Sequence, residues 1–149
     1  MTYKTFNILS IEDNEPDFEL LKNTLLRIPD ISINIININN GETAIDFIFK
    51  RNIYKNAETP HLIILDINLP KMNGHEILRK IKRSSKYKII PVIMFSSSII
   101  EDDIKKSYEE YANSYIAKTF NVDSLLKKIT SMGEFWLKTS EIPPIDNNK

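Results

Sequence analysis

The chain lacks several kinds of residue, and each absence excludes a class of protein. Its 149 residues include no cysteine, so it forms no disulfide, binds no metal through thiolates and has no cysteine nucleophile. It has only three glycines, too far apart to form a glycine-rich phosphate loop, which argues against a dinucleotide-binding enzyme. Twenty basic and twenty acidic residues leave no net charge, so no overall basic field favours nucleic acid or an anionic membrane.

Long apolar runs are also missing. Runs such as 89–95 fall far short of the roughly 20 residues that a membrane-spanning helix needs. The first residues, MTYKT, have no signal-peptide pattern. We therefore expect a cytoplasmic protein with neither a membrane nor a nucleic-acid partner. The length allows one full hydrophobic core and leaves little room for a second domain.

Five short apolar runs rich in β-branched residues alternate with segments whose apolar residues recur at helical spacing. This alternation predicts βαβ units and a parallel sheet covered by helices on both faces. The predicted elements are β1 6–11, α1 16–28, β2 33–38, α2 42–51, β3 62–66, α3 74–83, β4 89–95, α4 101–111, β5 114–117 and α5 122–138. Residues 51–59 either extend α2 or form a loop, and residues 139–149 are expected to be a flexible tail.

Polar side chains follow four of the predicted strands. Glu12 and Asp13 follow β1, Asp66 ends β3, Ser96 follows β4 and Lys118 follows β5. Because parallel strands end at one edge of the sheet, we expect these side chains to lie close together. Two carboxylates 5 Å apart repel by roughly 3 kcal/mol at an effective dielectric of about 20, so the cluster must protonate or bind a cation. An all-oxygen site favours Mg²⁺, and phosphate oxygens often complete the coordination shell of this ion.

Each of these residues also has an ordinary structural interpretation. Asp66 alone is typical of a turn or a helix cap, Ser96 of the cap of α4, and Lys118 of a surface lysine. Their joint position at the ends of four strands favours a functional site. The two histidines, His61 and His75, have no evident nucleophile or metal partner in the sequence, so we expect both at the surface.

The acidic pair at 12–13, the segment Asp-Ile-Asn-Leu-Pro-Lys-Met-Asn-Gly at 66–74, Ser96 and Lys118 together resemble the receiver domain of two-component response regulators, CheY-like in layout. The similarity extends from about Phe6 to Leu137. It implies an α/β, flavodoxin-like, doubly wound five-stranded parallel sheet of order 2-1-3-4-5 with five helices. The receiver domain would cover residues 1–138, and with so little chain left it would be a stand-alone regulator.

The resemblance implies that the protein accepts a phosphoryl group from a sensor histidine kinase or a phosphotransfer protein. Asp66 would be the phosphoacceptor. Mg²⁺ would be held by Asp13, by Asp66 and by the main-chain carbonyl of Asn68, with Glu12 acting mainly through water. Such a protein is not an enzyme in the usual sense, since it catalyses only its own phosphorylation and dephosphorylation.

The resemblance also assigns residues around the phosphoryl group. Ser96 and Lys118 would bind its oxygens. Movement of Ser96 toward it would leave space into which Tyr115 turns, changing the face formed by α4, β5 and α5. Asn68 and Ser97 would tune the hydrolysis of the aspartyl phosphate. The alternative for Tyr115 is a half-buried strand aromatic with no role in switching.

A narrower resemblance concerns single-domain regulators that partner phytochrome-type histidine kinases. It rests on Asp-Asp-Ile at 102–104, after the serine run, and on Phe-Trp-Leu at 135–137. The apolar stripe of α5 mostly packs on the sheet, as amphipathic helices do. The aromatic pair that ends the stripe is expected to anchor a homodimer, and sedimentation of Trp136→Ala against wild type would test this.

One position departs from the family pattern, because Lys118 is followed by Thr119 and not by a proline in a cis peptide. A non-proline cis peptide costs roughly 3–4 kcal/mol, so this bond is either strained or trans, and the direction of Lys118 is less firmly predicted.

Two other functions remain open. One is a receiver-like module that binds partners without phosphorylation. The other is a metal-dependent phosphatase of the haloacid-dehalogenase type, which needs a second aspartate as general acid two residues after its nucleophile. This chain has Asn68 there, which disfavours the phosphatase.

Overall fold

The computed structural model describes residues 4–145, in which strands and helices alternate along the chain. The strands are β1 Thr5–Ile11, β2 Ser32–Ile38, β3 Leu62–Leu65, β4 Val92–Ser96 and β5 Ser114–Ala117. The α-helices are α1 Glu15–Leu25, α2 Gly41–Ile48, α3 Gly74–Lys82, α4 Glu101–Glu109 and α5 Val122–Glu134. A short 3-10 helix, Asn52–Tyr54, follows α2, and a π-helical turn, Phe135–Thr139, follows α5.

The five strands form one parallel sheet in the order β2-β1-β3-β4-β5. One apolar cluster joins α1 and α5 to one face of the sheet. A second cluster joins α2 and α3 to the opposite face, where α4 packs beside α3. All four residues of β3 are buried, because both faces of this central strand are covered. Every strand therefore delivers its carboxyl end to the same edge of the sheet.

Asparagines fix the start of four helices at that edge. The side chains of Asn14, Asn40, Asn73 and Asn121 accept hydrogen bonds from the first turns of α1, α2, α3 and α5, respectively. Helix α4 differs, because Ile100 precedes it and supplies no capping side chain. Its first turn carries three acidic residues instead, which interact favourably with the positive end of the helix dipole.

Several predicted elements are shorter in the structure, and two of these differences have a clear physical cause. Strand β4 begins at Val92 and not at residue 89, since Pro91 has no N–H to donate to the sheet and Ile89 is half exposed. Helix α2 ends at Ile48, and the positive φ of Lys50 marks the end of helical backbone. The polar stretch 51–59 therefore does not extend α2, but forms the 3-10 turn and a loop.

The chain after α5 returns to the core within the described residues. Ile142 is buried in the apolar cluster that contains α1 and α5. The last part of the predicted flexible tail, residues 146–149, lies outside the described residues. Within residues 4–145, none of the helices combines the length and the apolar character that crossing a membrane requires.

Candidate functional site

Acidic side chains from two adjacent strands meet at the carboxyl edge of the sheet. Ile11 of β1 pairs with Leu65 of β3, so the residues that follow them leave the sheet side by side. One carboxylate oxygen from each of Glu12, Asp13 and Asp66 lies within 4.8 Å of the others. The structure thus brings together the three carboxylates that the sequence places after these strands.

The three carboxylates differ in their surroundings. Glu12 and Asp66 are 3% and 8% exposed, whereas Asp13 is exposed to solvent. The main-chain N–H of Ile67 donates to Asp66 Oδ1 at 2.7 Å, and that of Asn14 donates to Glu12 Oε2 at 3.2 Å. Two of the three acids are therefore held in fixed positions, while the third faces water.

Lys118, at the end of β5, reaches into this cluster. Its Nζ donates to Glu12 Oε1 at 2.5 Å, to Asp17 Oδ2 at 2.8 Å and to Asp66 Oδ2 at 3.3 Å. The cis or trans state of the bond to Thr119 is settled by the structure, since every peptide bond of the described residues is trans. Lys118 nevertheless points at the acids, and its carboxylate partners fix its direction.

The sequence analysis did not identify Asp17 as part of the site. Asp17 lies in the first turn of α1, and its main-chain N–H donates to the Asn14 cap at 3.0 Å. An acidic residue in a first turn is usually explained by the helix dipole, so the local sequence carries no sign that it meets Lys118. The contact arises because α1 begins, and β5 ends, at the same edge of the sheet.

The pKa values of this cluster reflect burial and mutual contact. Burial raises the pKa of Glu12 to about 7, against the lowering effect of its hydrogen bond to Lys118. Burial by itself lowers the pKa of Lys118, but hydrogen bonds to Asp17 and Glu12 outweigh it, so the net pKa is raised. The ammonium thus stays charged, and it is shared among three carboxylates. A single positive charge cannot neutralise them all.

The donor set fits a hard divalent cation such as Mg²⁺ or Mn²⁺. Such ions prefer oxygen ligands and retain several waters. The three carboxylates lie close enough together to share one ion, and exposure of Asp13 leaves room for those waters. Asn68, whose carbonyl the resemblance implied as a ligand, is an exposed residue of the loop between β3 and α3.

Gly74 fixes the end of that loop. Its N–H donates to the carbonyl of Ile67 at 2.8 Å, and a Cβ at this position would overlap the main-chain carbonyl of Asp66. Only glycine allows this approach without backbone movement. The start of α3 is therefore packed directly on the main chain of Asp66.

The serines at the end of β4 are hydrogen-bonded to one another and to Tyr115 of β5. Ser96 is fully buried, and its Oγ accepts a hydrogen bond from the N–H of Ser98 at 3.3 Å. Tyr115 is half buried, and its hydroxyl donates to the carbonyl of Ser98 at 2.7 Å. Ser97 is exposed. The structure thus places Ser98, which the sequence analysis did not single out, between Ser96 and Tyr115.

The prediction that both histidines lie at the surface is wrong for His75, which is 4% exposed. Its Nε2 lies 3.0 Å from Ser107 Oγ and 3.2 Å from the carbonyl oxygen of Asp103, both on α4. Burial lowers the pKa of His75, against the raising effect of the bond to Asp103. The sequence could not indicate this partner, because Ser107 is far along the chain. His61 is partly exposed and accepts the N–H of Asn7 at 2.9 Å.

The fold and the site define a class: an α/β protein of flavodoxin-like topology whose acidic pocket fits a divalent cation. Residues 8–130 match the response regulator receiver domain, and the chain belongs to this family. It is 37% identical to the response regulator Rcp1 of Synechocystis sp., over 91% of this chain and 92% of Rcp1. It is 30% identical to the probable methanogenesis regulatory protein FilR2 of Methanothrix harundinacea, over 93% of this chain and 88% of FilR2.

Solved structures agree with this assignment. The phosphorylated cyanobacterial phytochrome response regulator RcpA matches with a TM-score of 0.90 and 36% identity, over 95% of this chain and 100% of RcpA. The Mn²⁺-bound form of Rcp1 also matches with a TM-score of 0.90 and 36% identity, over 93% of this chain and 99% of Rcp1. The predicted family and fold are confirmed. Receiver domains are signalling proteins that bind Mg²⁺ or Mn²⁺ at an acidic pocket.

Proposed function

We propose that this receiver domain accepts a phosphoryl group on Asp66 from the phosphohistidine of a kinase or a phosphotransfer protein. The observation that carries the proposal is the convergence of Asp66 with Glu12, Asp13 and Lys118 at one edge of the sheet. A carboxylate oxygen of Asp66 attacks phosphorus while the P–N bond of the phosphohistidine breaks. The electron pair of that bond stays on the imidazole nitrogen, and Asp66 becomes an acyl phosphate.

Mg²⁺ would supply positive charge to the phosphoryl oxygens. The residues that hold it in this proposal are Asp13, Asp66 and the carbonyl of Asn68, with Glu12 acting through water. Lys118 contributes a second positive charge, since its ammonium already lies 3.3 Å from Asp66 Oδ2. Charge neutralisation of this kind is the main source of rate enhancement in phosphoryl transfer.

The proposed switch involves the serine run and β5. The buried Ser96 hydroxyl donates to the phosphoryl group, and its movement disturbs the neighbouring Ser98. Tyr115, whose hydroxyl donates to the carbonyl of Ser98, then turns into the space that Ser96 leaves, and the face formed by α4, β5 and α5 changes. Asn68 and Ser97, both exposed beside the site, tune the attack of water on the acyl phosphate.

We propose a phytochrome-type histidine kinase as the partner. Several similar structures, including RcpA and the bacteriophytochrome response regulator RtBRR, belong to phytochrome systems. A homodimer is proposed at the end of α5. There Phe135 is 51% exposed and stacks edge to face on Trp136, with ring centroids 5.3 Å apart, so an apolar surface remains for a second copy.

Acetyl phosphate in Mg²⁺ buffer tests the proposal when followed by intact-mass analysis. Wild type should gain one phosphoryl group, and Asp66→Asn should gain none. Asp123→Asn, which makes the same change in the first turn of α5, should behave as wild type. Chelation by EDTA should abolish the gain in every variant. Modification of Asp66→Asn would mean that another residue accepts the phosphoryl group, which would refute the assignment of Asp66. An unmodified wild type that still binds its kinase would instead favour a phosphorylation-independent interaction module.

A further inference from the structure

A chain of hydrogen bonds joins α3 to α4 outside the acidic cluster. His75 Nε2 lies 3.2 Å from the carbonyl oxygen of Asp103 and 3.0 Å from Ser107 Oγ. Because a carbonyl oxygen only accepts, the proton of the ring lies on Nε2. Ser107 Oγ donates to the same carbonyl at 2.8 Å. Both His75 and Ser107 are buried, so these bonds do not compete with water.

The chain continues through Asp103 to the loop after β4. Ser98 Oγ donates to Asp103 Oδ2 at 2.6 Å. The main chain of Ser98 contacts both residues of the proposed switch, through its N–H to Ser96 and its carbonyl to Tyr115. Asp103, in the first turn of α4, thus connects His75 with Ser98.

The other end of the chain lies at the phosphoacceptor. His75 directly follows Gly74, which is packed on the main chain of Asp66 and bonded to Ile67. The imidazole that contacts α4 therefore lies one residue from the close contact between α3 and the phosphoacceptor.

Helix α4 has few other anchors. Ile100 supplies no capping side chain, and Ser107 is the one buried residue of α4. An ion pair between Arg79 on α3 and Glu110, at 3.0 Å, adds a partly exposed contact. A helix with so little buried apolar surface depends on its polar contacts for its position.

We infer that His75 is a positioning residue of the switch, one that holds α4 in the resting position through Asp103 and Ser107. Asp103 in turn accepts a hydrogen bond from Ser98, whose carbonyl accepts one from Tyr115. Loss of the imidazole bonds shifts the equilibrium toward the switched conformation, so a ligand that prefers that conformation binds more tightly. This inference rests on the proposed function.

The experiment compares His75→Leu and His75→Gln with wild type. Leucine removes both bonds, whereas glutamine retains a neutral N–H donor near the position of Nε2. Beryllofluoride with Mg²⁺ serves as a stable phosphoryl analogue. Trp136 reports the conformation by fluorescence, because it is the one tryptophan of the chain and lines the groove beside β5 together with Tyr115.

We expect His75→Leu to reach half-saturation at a beryllofluoride concentration roughly three- to tenfold lower than wild type, the range that one or two lost hydrogen bonds allow. His75→Gln should lie nearer wild type. Amide hydrogen exchange of 101–109 without the analogue should be faster in His75→Leu, because α4 is released. His61→Gln, at the other histidine, is the control and should change neither measurement.

A purely structural role would lower the melting temperature of His75→Leu and leave the half-saturation concentration unchanged, which would overturn the inference. Wild type that neither binds beryllofluoride nor gains a phosphoryl group would refute the proposed function, and the inference with it. If His75→Leu does not fold, Ser107→Ala replaces it. That variant should also lower the half-saturation concentration, and an unchanged value would overturn the inference.

Discussion

Replacement of Gly74 by alanine tests the close packing between α3 and the phosphoacceptor. A Cβ at this position overlaps the carbonyl oxygen of Asp66 and lies 2.7 Å from the Cα of Ile67. Both obstacles are main-chain atoms at the end of a buried strand, so no side chain can move aside. Overpacking of this kind typically costs about 1–3 kcal/mol. We expect Gly74→Ala at the upper end, about 3 kcal/mol, because only a shift of α3 relieves the overlap.

Gly133→Ala is the matched control. The Cβ would lie 2.5 Å from Ile28 Cδ1 and 2.7 Å from Leu25 Cδ2, which are the ends of flexible side chains. Alanine also favours the interior of α5 over glycine by about 1 kcal/mol, which offsets part of the clash. The two variants make the same chemical change against main-chain and side-chain obstacles, respectively.

The assay is thermal and urea unfolding of both variants. A loss of about 3 kcal/mol should lower the melting temperature of Gly74→Ala by roughly 10 °C in a domain of this size. Gly133→Ala should remain within about 1 kcal/mol of wild type. Equal melting temperatures for Gly74→Ala and Gly133→Ala would refute the reasoning, because they would mean that the start of α3 has room beside Asp66.

Two further predictions concern single polar side chains. Lys82 donates from Nζ to the carbonyls of Lys88 and Ile90 and to Asn113 Oδ1. Lys82→Met should therefore lose about 1–3 kcal/mol of unfolding free energy, measured by urea unfolding. Lys80→Met, an exposed position on the same helix, should stay within about 0.5 kcal/mol of wild type. Equal losses in the two variants would show that the hydrogen bonds of Lys82 do not stabilise the fold. The second prediction is a pH dependence. Because the folded pKa of His75 lies below its usual 6.5, the unfolded chain binds more protons at this residue between the two values, and the contribution of His75 to stability falls as pH drops below 6.5. We expect acidification to lower the unfolding free energy of wild type relative to that of His75→Gln, measured at several pH values. Glu12, whose raised pKa acts in the opposite direction, is present in both proteins, so the difference between them reports His75 alone.

The arrangement of the acidic cluster was predictable because it depends on local signals. The ends of β1 and β3 are marked by the change from apolar to acidic residues, and parallel topology then brings Glu12 and Asp66 together. The contact of Asp17 with Lys118 was not predictable, although both residues belong to the same edge. It depends on the direction of two side chains from elements far apart in sequence, and neither has a local signature.

The buried position of His75 shows the same limit. A histidine at the second position of α3 has no apolar pattern of its own, and its partner on α4 is a serine whose bond to Asp103 is typical of any helix.

The early end of α2 depends on the backbone conformation at Lys50, a residue type that rarely adopts positive φ. Pattern analysis predicts continued helix at such a position.

Helices α3 and α5 bury more apolar surface against the sheet than helix α4 does. Helices α3 and α5 each bury several apolar side chains against the sheet, so moving either would expose apolar surface at about 25 cal/mol per Å². Helix α4, with the sequence EDDIKKSYE, has little apolar surface to lose and is held by hydrogen bonds and an ion pair. Exchange of one polar contact for another changes the free energy much less than exposure of a core side chain does. The proposed movement of Ser96 would therefore displace α4 at a smaller cost in free energy than it would displace α3 or α5.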